Sequence, residues 1–363
     1  MAKRVLIGMS GGVDSSVSAY LMNQAGYDCI GGYMRLYDAK AVGLEKHQIC
    51  PNLNDQNDAC HVAESLGIPF RVFDCVANFE EKVIAKFIRS YECGVTPNPC
   101  VDCNRYLKFD YLMEKGMELG FDAVATGHYA RVRQDSETGR HLLYRATDHS
   151  KDQSYMLYAL TQQQLAHVFF PVGDMTKTQV REIAENQRLI NARKRDSQDI
   201  CFVPDGDYVA FMERFTGKKY EPGDYLDLNG NVVGRHKGAV RYTIGQRKGL
   251  DLAMGSPVYV CSKDMEANTV TVGPNEALFT RGLTAKNWNW IAFETLTGPM
   301  RVTAMARYNQ IPRPATVYPL EDGMAKVVFD SPQRALTAGQ AVVLYDGDLV
   351  VGGGTITQAL SDV

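Results

Sequence analysis

Ser10-Gly11-Gly12-Val13-Asp14-Ser15-Ser16 stands between two segments of opposite character. Before it lies Arg4-Val-Leu-Ile-Gly-Met9, a short apolar run that reads as a buried parallel strand. After it comes Val17-Ser-Ala-Tyr-Leu-Met22, which reads as the first turns of a helix. Glycines and hydroxyls at a strand-to-helix turn leave backbone N–H groups pointing at the positive end of the helix, where a phosphate binds. The segment lacks the lysine of G-x-x-x-x-G-K-[ST], and its spacing is not G-x-G-x-x-G. It carries an acid instead, Asp14, so a divalent cation is expected between that carboxylate and the phosphates. The alternative is a glycine turn without a ligand.

Working outward, 363 residues hold two or three domains, and 45% hydrophobic with 22% charged residues describes an ordinary globular chain. No run approaches the ~18 apolar residues of a membrane span, and the chain enters a strand at once, so neither a membrane segment nor a signal peptide is expected. Net charge of −3 does not by itself point to nucleic acid. However, Gly234 to Leu250 holds Arg235, Lys237, Arg241, Arg247 and Lys248 without an acid, which suits phosphate contact or a solvated face. Nine cysteines, an odd number without regular spacing, argue against a secreted disulfide scaffold and for a reducing cytoplasm.

Up to residue 205 strands alternate with helices. Val5–Met9, Asp28–Met34, Phe70–Asp74 and Ala123–Thr126 read as strands. Ser16–Gln24, Asp58–Leu66, Phe79–Tyr91, Arg105–Glu118 and Thr178–Asn186 show helical periodicity. This predicts an α/β domain with a parallel sheet and ligands at the strand C-termini. Tyr37–Asn57 reads as a loop insertion, and Gln134–Arg140 as the turn of a hairpin. Beyond a helix at Tyr208–Phe215, short β-rich runs broken by Gly and Pro predict a small central module over residues 206–280 and a C-terminal β-barrel over 281–363.

Chemistry concentrates in Gly94-Val-Thr-Pro-Asn-Pro-Cys-Val-Asp-Cys-Asn104 and Asp196-Ser-Gln-Asp-Ile-Cys-Phe202. Two prolines stiffen the first, and Asn104 is suited to cap a following helix. Cys103 would then sit at a helix N-terminus, where the dipole favours thiolate. The basic run Arg193-Lys194-Arg195 should act likewise on Cys201.

SGGVDSS resembles the PP-loop of ATP pyrophosphatases, which activate a carbonyl oxygen by adenylation. TPNPCVDCN, ATGHYAR (Ala125 to Arg131), KDQSYML (Lys151 to Leu157), DSQDICF, YTIGQRKGL (Tyr242 to Leu250) and GGGTI (Gly352 to Ile356) resemble segments of the tRNA-specific 2-thiouridylases, in that family's order. The resemblance implies thiolation of the wobble uridine of tRNAs for lysine, glutamate and glutamine. ATP would adenylate the 2-oxygen, sulfur would replace it, and AMP would leave. By motif, Gly8, Met9, Ser10, Gly11, Gly12, Val13, Asp14 and Ser15 would hold ATP, with Asp14 acting through Mg²⁺ and Met34 and Gly127 near the adenine and ribose. Cys201 would carry a persulfide from a sulfur-donor protein, and Cys103 would be the partner nucleophile. Asn98, Pro99 and Cys100 would border the target base. His128, Lys151, Asp152, Gln153, Arg307, Tyr308 and Gln340 would contact tRNA.

Many members of that family carry aspartate where this chain has Cys100. The replacement removes a candidate acid–base group, which Asp102 and Asp199 do not match in position, and creates Cys100-x-x-Cys103. With Cys201 it offers three thiolates to a [4Fe–4S] cluster, an alternative to a persulfide and disulfide cycle, with zinc as a third option. Other readings are a PP-loop ligase acting on a small metabolite and a non-catalytic tRNA-binding protein. The first would not need Cys103 and Cys201, and the second would not need Asp14.

Overall fold

In the computed structural model, which describes residues 2–38, 51–196 and 200–361, five parallel strands form the first sheet in the order β3-β2-β1-β4-β7. They are β1 (Arg4–Gly8), β2 (Asp28–Arg35), β3 (Phe70–Asp74), β4 (Ala123–Thr126) and β7 (Val168–Phe169). β1 and β4 read as unbroken apolar runs because helices cover both faces of the sheet. The chain leaves β1 toward β2 on one side and returns as β4 on the other. That reversal opens a crevice at the C-terminal end of β1, the place where such sheets bind ligands. α1 (Val13–Gln24) starts there, three residues earlier than the periodicity predicted, because the hydroxyls of Ser15 and Ser16 both donate to Gly12 and carry the first turn. α2 (Pro51–Ser65) likewise begins inside the stretch read as a loop. The rest of that stretch, residues 39–50 with Cys50, lies outside the described residues, as does Asp199.

The hairpin of β5 (Ala130–Gln134) and β6 (His141–Arg145) leaves the first sheet and pairs with the last strand of the chain through Tyr144 and Leu349. The central module is a four-stranded sheet in the order β10-β11-β8-β9, from β8 (Gly223–Leu226), β9 (Val232–His236), β10 (Tyr259–Asp264) and β11 (Thr269–Gly273). The third unit is a closed six-stranded antiparallel barrel. Its strands are β12 (Phe279–Trp290), β13 (Met300–Met305), β14 (Arg313–Pro319), β15 (Ala325–Arg334), β16 (Ala341–Asp346) and β17 (Leu349–Leu360). β12 pairs with both β15 and β17, which closes the ring and leaves no edge among these strands.

One hydrophobic core joins the first domain to the barrel, running from Leu6 and Phe109 through Tyr155 and Tyr158 to Val343, Tyr345 and Val350. Tyr155 Oη donates to Ala341 O at 2.9 Å, and Asn289 Nδ2 donates to the carbonyls of Tyr158 and Leu160. The KDQSYML segment is therefore a structural joint between the two units.

Candidate active site

The loop after β1 is shaped for an anion. Gly11 adopts φ +75°, and a side chain there would strike the backbone of Asp55 on α2, so only glycine serves. Gly12 is the extended N-cap of α1 and offers no side-chain cap, so the first N–H groups of the helix remain for a ligand. Asn191 Nδ2 fixes the loop by donating to Gly11 O at 3.0 Å and Ser16 Oγ at 2.8 Å. Gly127, just past β4, packs so closely on Asp14 and Ser15 that a Cβ would come within 2.5 Å of the Ser15 nitrogen. Met34 lies half-buried at the same edge, near the end of β2. Gly8 and Ser10 lie on the same strand-to-helix connection, whereas Met9 and Val13 are buried in the core beneath it.

Asp14 is not a bare carboxylate. Lys177 Nζ lies 2.7 Å from its Oδ1 and 2.8 Å from its Oδ2, and Tyr129 Oη donates to Oδ1 at 2.8 Å. Lys177 also pairs with Asp196 at 2.8 Å, and Asp196 in turn receives Lys151 at 2.8 Å and Arg181 at 3.0 Å. Burial works against the Asp196 carboxylate, but the hydrogen bonds from Lys151 and Lys177 prevail and hold its pKa at about 2. The lysine absent from the loop therefore arrives from elsewhere, at the first position of the helix Lys177–Asn186. Sequence reading missed Lys177, because its Thr-Lys-Thr-Gln setting announces only the capping box that Thr176 and Gln179 make. Asp14 has the hard oxygen donors that Mg²⁺ takes. A cation there would share or displace the Lys177 contact.

The cysteine segment corrects two expectations. The helix begins at Pro99, with Asn98 as N-cap, and Asn104 is an interior residue. Proline at the first helical position sets the start six residues before the predicted one. Cys103 is consequently past the first turn and buried, and burial raises its thiol to about 11. Burial also raises Cys201 to about 12, with Cys103 and Cys100 adding to it, so the Arg193-Lys194-Arg195 run does not make it a thiolate. Lys194 instead pairs with Asp55 at 2.6 Å, and Arg193 with Glu185. Cys100 and Cys201 keep exposed surface although neighbouring protein crowds both and raises their thiols.

One cation faces this group. Lys108 lowers the thiols of Cys100, Cys103 and Cys201 against the burial that raises them. Its Nζ lies 3.3 Å from His128 Nε2, and His128 Nδ1 lies 2.7 Å from Thr126 Oγ1. An ammonium only donates, so Nε2 accepts and Nδ1–H donates. Burial and Lys108 push the His128 pKa well below 6.5, leaving a neutral imidazole. His128 follows Gly127 directly, so two consecutive residues touch the phosphate loop and the cation beside the thiols. Lys108 lies on a π-helical stretch, Asn104–Tyr111, and no pattern in the sequence marks it. Asp102 is buried and tied to Lys86 at 2.6 Å, so it does not replace the family's aspartate. Among the described residues no three of His, Cys, Asp or Glu are placed to hold a metal ion. Cys100, Cys103 and Cys201 as they stand do not converge on a single ion such as zinc.

Several residues expected at tRNA face inward. Asp152 pairs with Arg145 at 3.0 Å and accepts from the backbone of Ala146 and Ser154. Gln153 Oε1 accepts from the Tyr129 N–H, and Lys151 is held by Asp196. Arg307 donates to the carbonyls of Ile244 and Ala335, joining the central module to the barrel. Gln340 Nε2 donates to Thr96 O at 3.0 Å and Pro97 O at 3.2 Å, which anchors the cysteine segment on the barrel. Tyr308 packs on Tyr155 and lies near Cys100, and Asn98 Nδ2 meets Met156 Sδ at 3.5 Å. In the basic stretch Arg235, Lys237 and Arg241 are ion-paired, while Arg247 and Lys248 are exposed.

Three family models match the chain in succession: a tRNA methyl transferase HUP domain over residues 3–205, a tRNA methyl transferase PRC-barrel domain over 209–274, and an aminomethyltransferase beta-barrel domain over 280–356. Full-length relatives carry a different activity in their names. A tRNA-specific 2-thiouridylase of Clostridioides difficile is 48% identical over 99% of both chains. Others from Acetivibrio thermocellus, 47% identical over 98% of this chain and 99% of its own, and Clostridium perfringens, 48% identical over 99% of both, share the name. Because those matches span all three domains, they outweigh the wording of the single-domain descriptions.

Proposed function

The chain belongs to the tRNA-specific 2-thiouridylase family, and on that premise we propose how its residues divide the work of an ATP-dependent tRNA-uridine 2-sulfurtransferase. The observation that carries the reading is adjacency: Gly127 packs on the anion loop, and the next residue, His128, meets Lys108, the cation that acts on the thiols. Such a site suits a reaction in which a base is first activated by ATP and then meets sulfur.

ATP would lie with its phosphates against Ser10–Ser15 and the start of α1, with Met34 and Gly127 beside the nucleoside. Lys177, drawn from Asp14 by the phosphates, would neutralise charge on them, and Asp14 would then hold Mg²⁺. That ion supplies charge neutralisation and orientation of the phosphates. The uracil 2-oxygen attacks the α-phosphorus and pyrophosphate leaves. The terminal sulfur of a Cys201 persulfide attacks C2, and the oxygen leaves with AMP. Cys103 then attacks the Cys201 sulfur, breaking the S–S bond, so that sulfur stays on the base and a Cys103–Cys201 disulfide remains. An external dithiol supplies the two electrons that reset it. The base must leave its stack to reach this crevice, and Asn98, Pro99, Cys100 and Tyr308 border the place where it would enter.

The persulfide route is preferred over the cluster route because it needs only Cys103 and Cys201, which lie near enough for Cys103 to raise the Cys201 thiol. A stoichiometric iron and labile-sulfide content after anaerobic purification, lost together with activity, would reverse that preference. The sulfur donor would be a persulfide-carrying protein and the setting cytoplasmic. No helix among the described residues is long and apolar enough to cross a membrane. Incubating the protein with ATP, Mg²⁺, a sulfide or persulfide source and unmodified tRNA should yield 2-thiouridine, AMP and pyrophosphate. A product formed on a small metabolite without tRNA would support the ligase reading instead.

A further inference from the structure

We propose that Cys100 is a resolving thiol, which takes over the disulfide left on Cys103 and frees Cys201 for its next sulfur. This rests on the reading that sulfur transfer ends in a Cys103–Cys201 disulfide. Cys100 and Cys103 are residues two and five of the helix opened by Pro99. An α-helical spacing of three places their Cα atoms about 5 Å apart on one face. Disulfides require Cα separations of roughly 4.4–6.8 Å, which this pair meets, and Cβ separations of roughly 3.5–4.5 Å, which the ~5–6 Å helical spacing reaches with a small adjustment of this first turn.

The three thiols form one group, since Cys103 feels Cys100, and Cys201 feels both. Their exposure differs in the way a relay requires. Cys103, shared by both disulfides, is buried, and Cys100 is open to a reductant in solution. Burial raises the Cys100 thiol and Lys108 draws it back, whereas Cys103 and Cys201 are driven to about 11 and about 12. Cys100 is thus the readiest of the three to attack. The step balances without an outside oxidant. Cys100 thiolate attacks the Cys103 sulfur, the Cys103–Cys201 bond breaks, a Cys100–Cys103 bond forms, and the electron pair and a proton go to Cys201. A dithiol reductant then opens the new bond at the exposed Cys100 sulfur. A carboxylate at this position, as in many members of the family, has no such chemistry.

The test poises full-length wild type and Cys100→Ser in glutathione redox buffers, quenches in acid and maps disulfides by mass spectrometry. Wild type should hold at least tenfold more Cys100–Cys103 than Cys103–Cys201, with Cys201 open to alkylation. Cys100→Ser should hold Cys103–Cys201. Wild type that retains Cys103–Cys201, or pairs Cys103 with the neighbouring buried Cys75, would overturn the relay and leave the sulfur-transfer reading standing. Absence of Cys103–Cys201 from Cys100→Ser would overturn that reading's disulfide step and the relay with it.

Discussion

Two lysines do at this site what the loops themselves do not. Lys177 stands against Asp14 and Asp196, where triphosphate charge would replace those carboxylates as its partner. Preorganised cations of this kind contribute about 10²–10³-fold to a rate. Lys177→Met should therefore lower ATP-dependent product formation by about 10²-fold, with Lys177→Arg recovering part of it, as read in steady-state assays. Lys108 acts on the thiols, yet burial still keeps Cys103 and Cys201 protonated at neutral pH. Alkylation of the free enzyme at these cysteines should accordingly rise about tenfold per unit from pH 7 to 9.5 without a plateau. A plateau near pH 7 would show a thiolate and contradict the burial argument.

At the scale of elements, the loop between β1 and α1 depends on Gly11. Gly11→Ala would combine a left-handed backbone with a clash against the Asp55 main chain. We expect a loss of about 1–3 kcal/mol in stability, seen in urea unfolding, together with weakened nucleotide binding. This loop, the strands β1 to β4 and most of the following helices were legible in the sequence, because buried parallel strands and amphipathic helices leave strong periodicities. β7 is not, being two residues long; bulges and glycines interrupt the alternation in β12 and β17, prolines sit near the ends of β14, and β8 and β9 are short and polar. The phosphate loop and the three thiols could be found because their residue types are chemically distinctive. Lys177, Lys108 and Tyr129 could not, since an ordinary lysine or tyrosine acquires its role only from tertiary neighbours. The burial that raises the thiols is equally invisible in the chain.

The whole molecule is organised by the joint between the first domain and the barrel, which share one core through Tyr155, Tyr158 and Tyr345. Tyr155→Phe removes only the hydrogen bond to Ala341 and should cost about 1–2 kcal/mol in unfolding free energy. Because Gln340 fastens Thr96 and Pro97, Gln340→Ala should loosen the cysteine segment from a distance. Its expected signature is a several-fold higher KM for tRNA with little change in KM for ATP. The barrel thus bears on the cysteine segment through position, and the proposed mechanism separates activation by ATP from delivery of sulfur by Cys201. The direct measurement follows tRNA-dependent adenylation, as pyrophosphate release and AMP transfer from labelled ATP, beside 2-thiouridine in wild type and Cys201→Ser. The account predicts adenylation in both proteins and 2-thiouridine in wild type alone. Persulfide-driven 2-thiouridine formation by Cys201→Ser at an undiminished rate would contradict it.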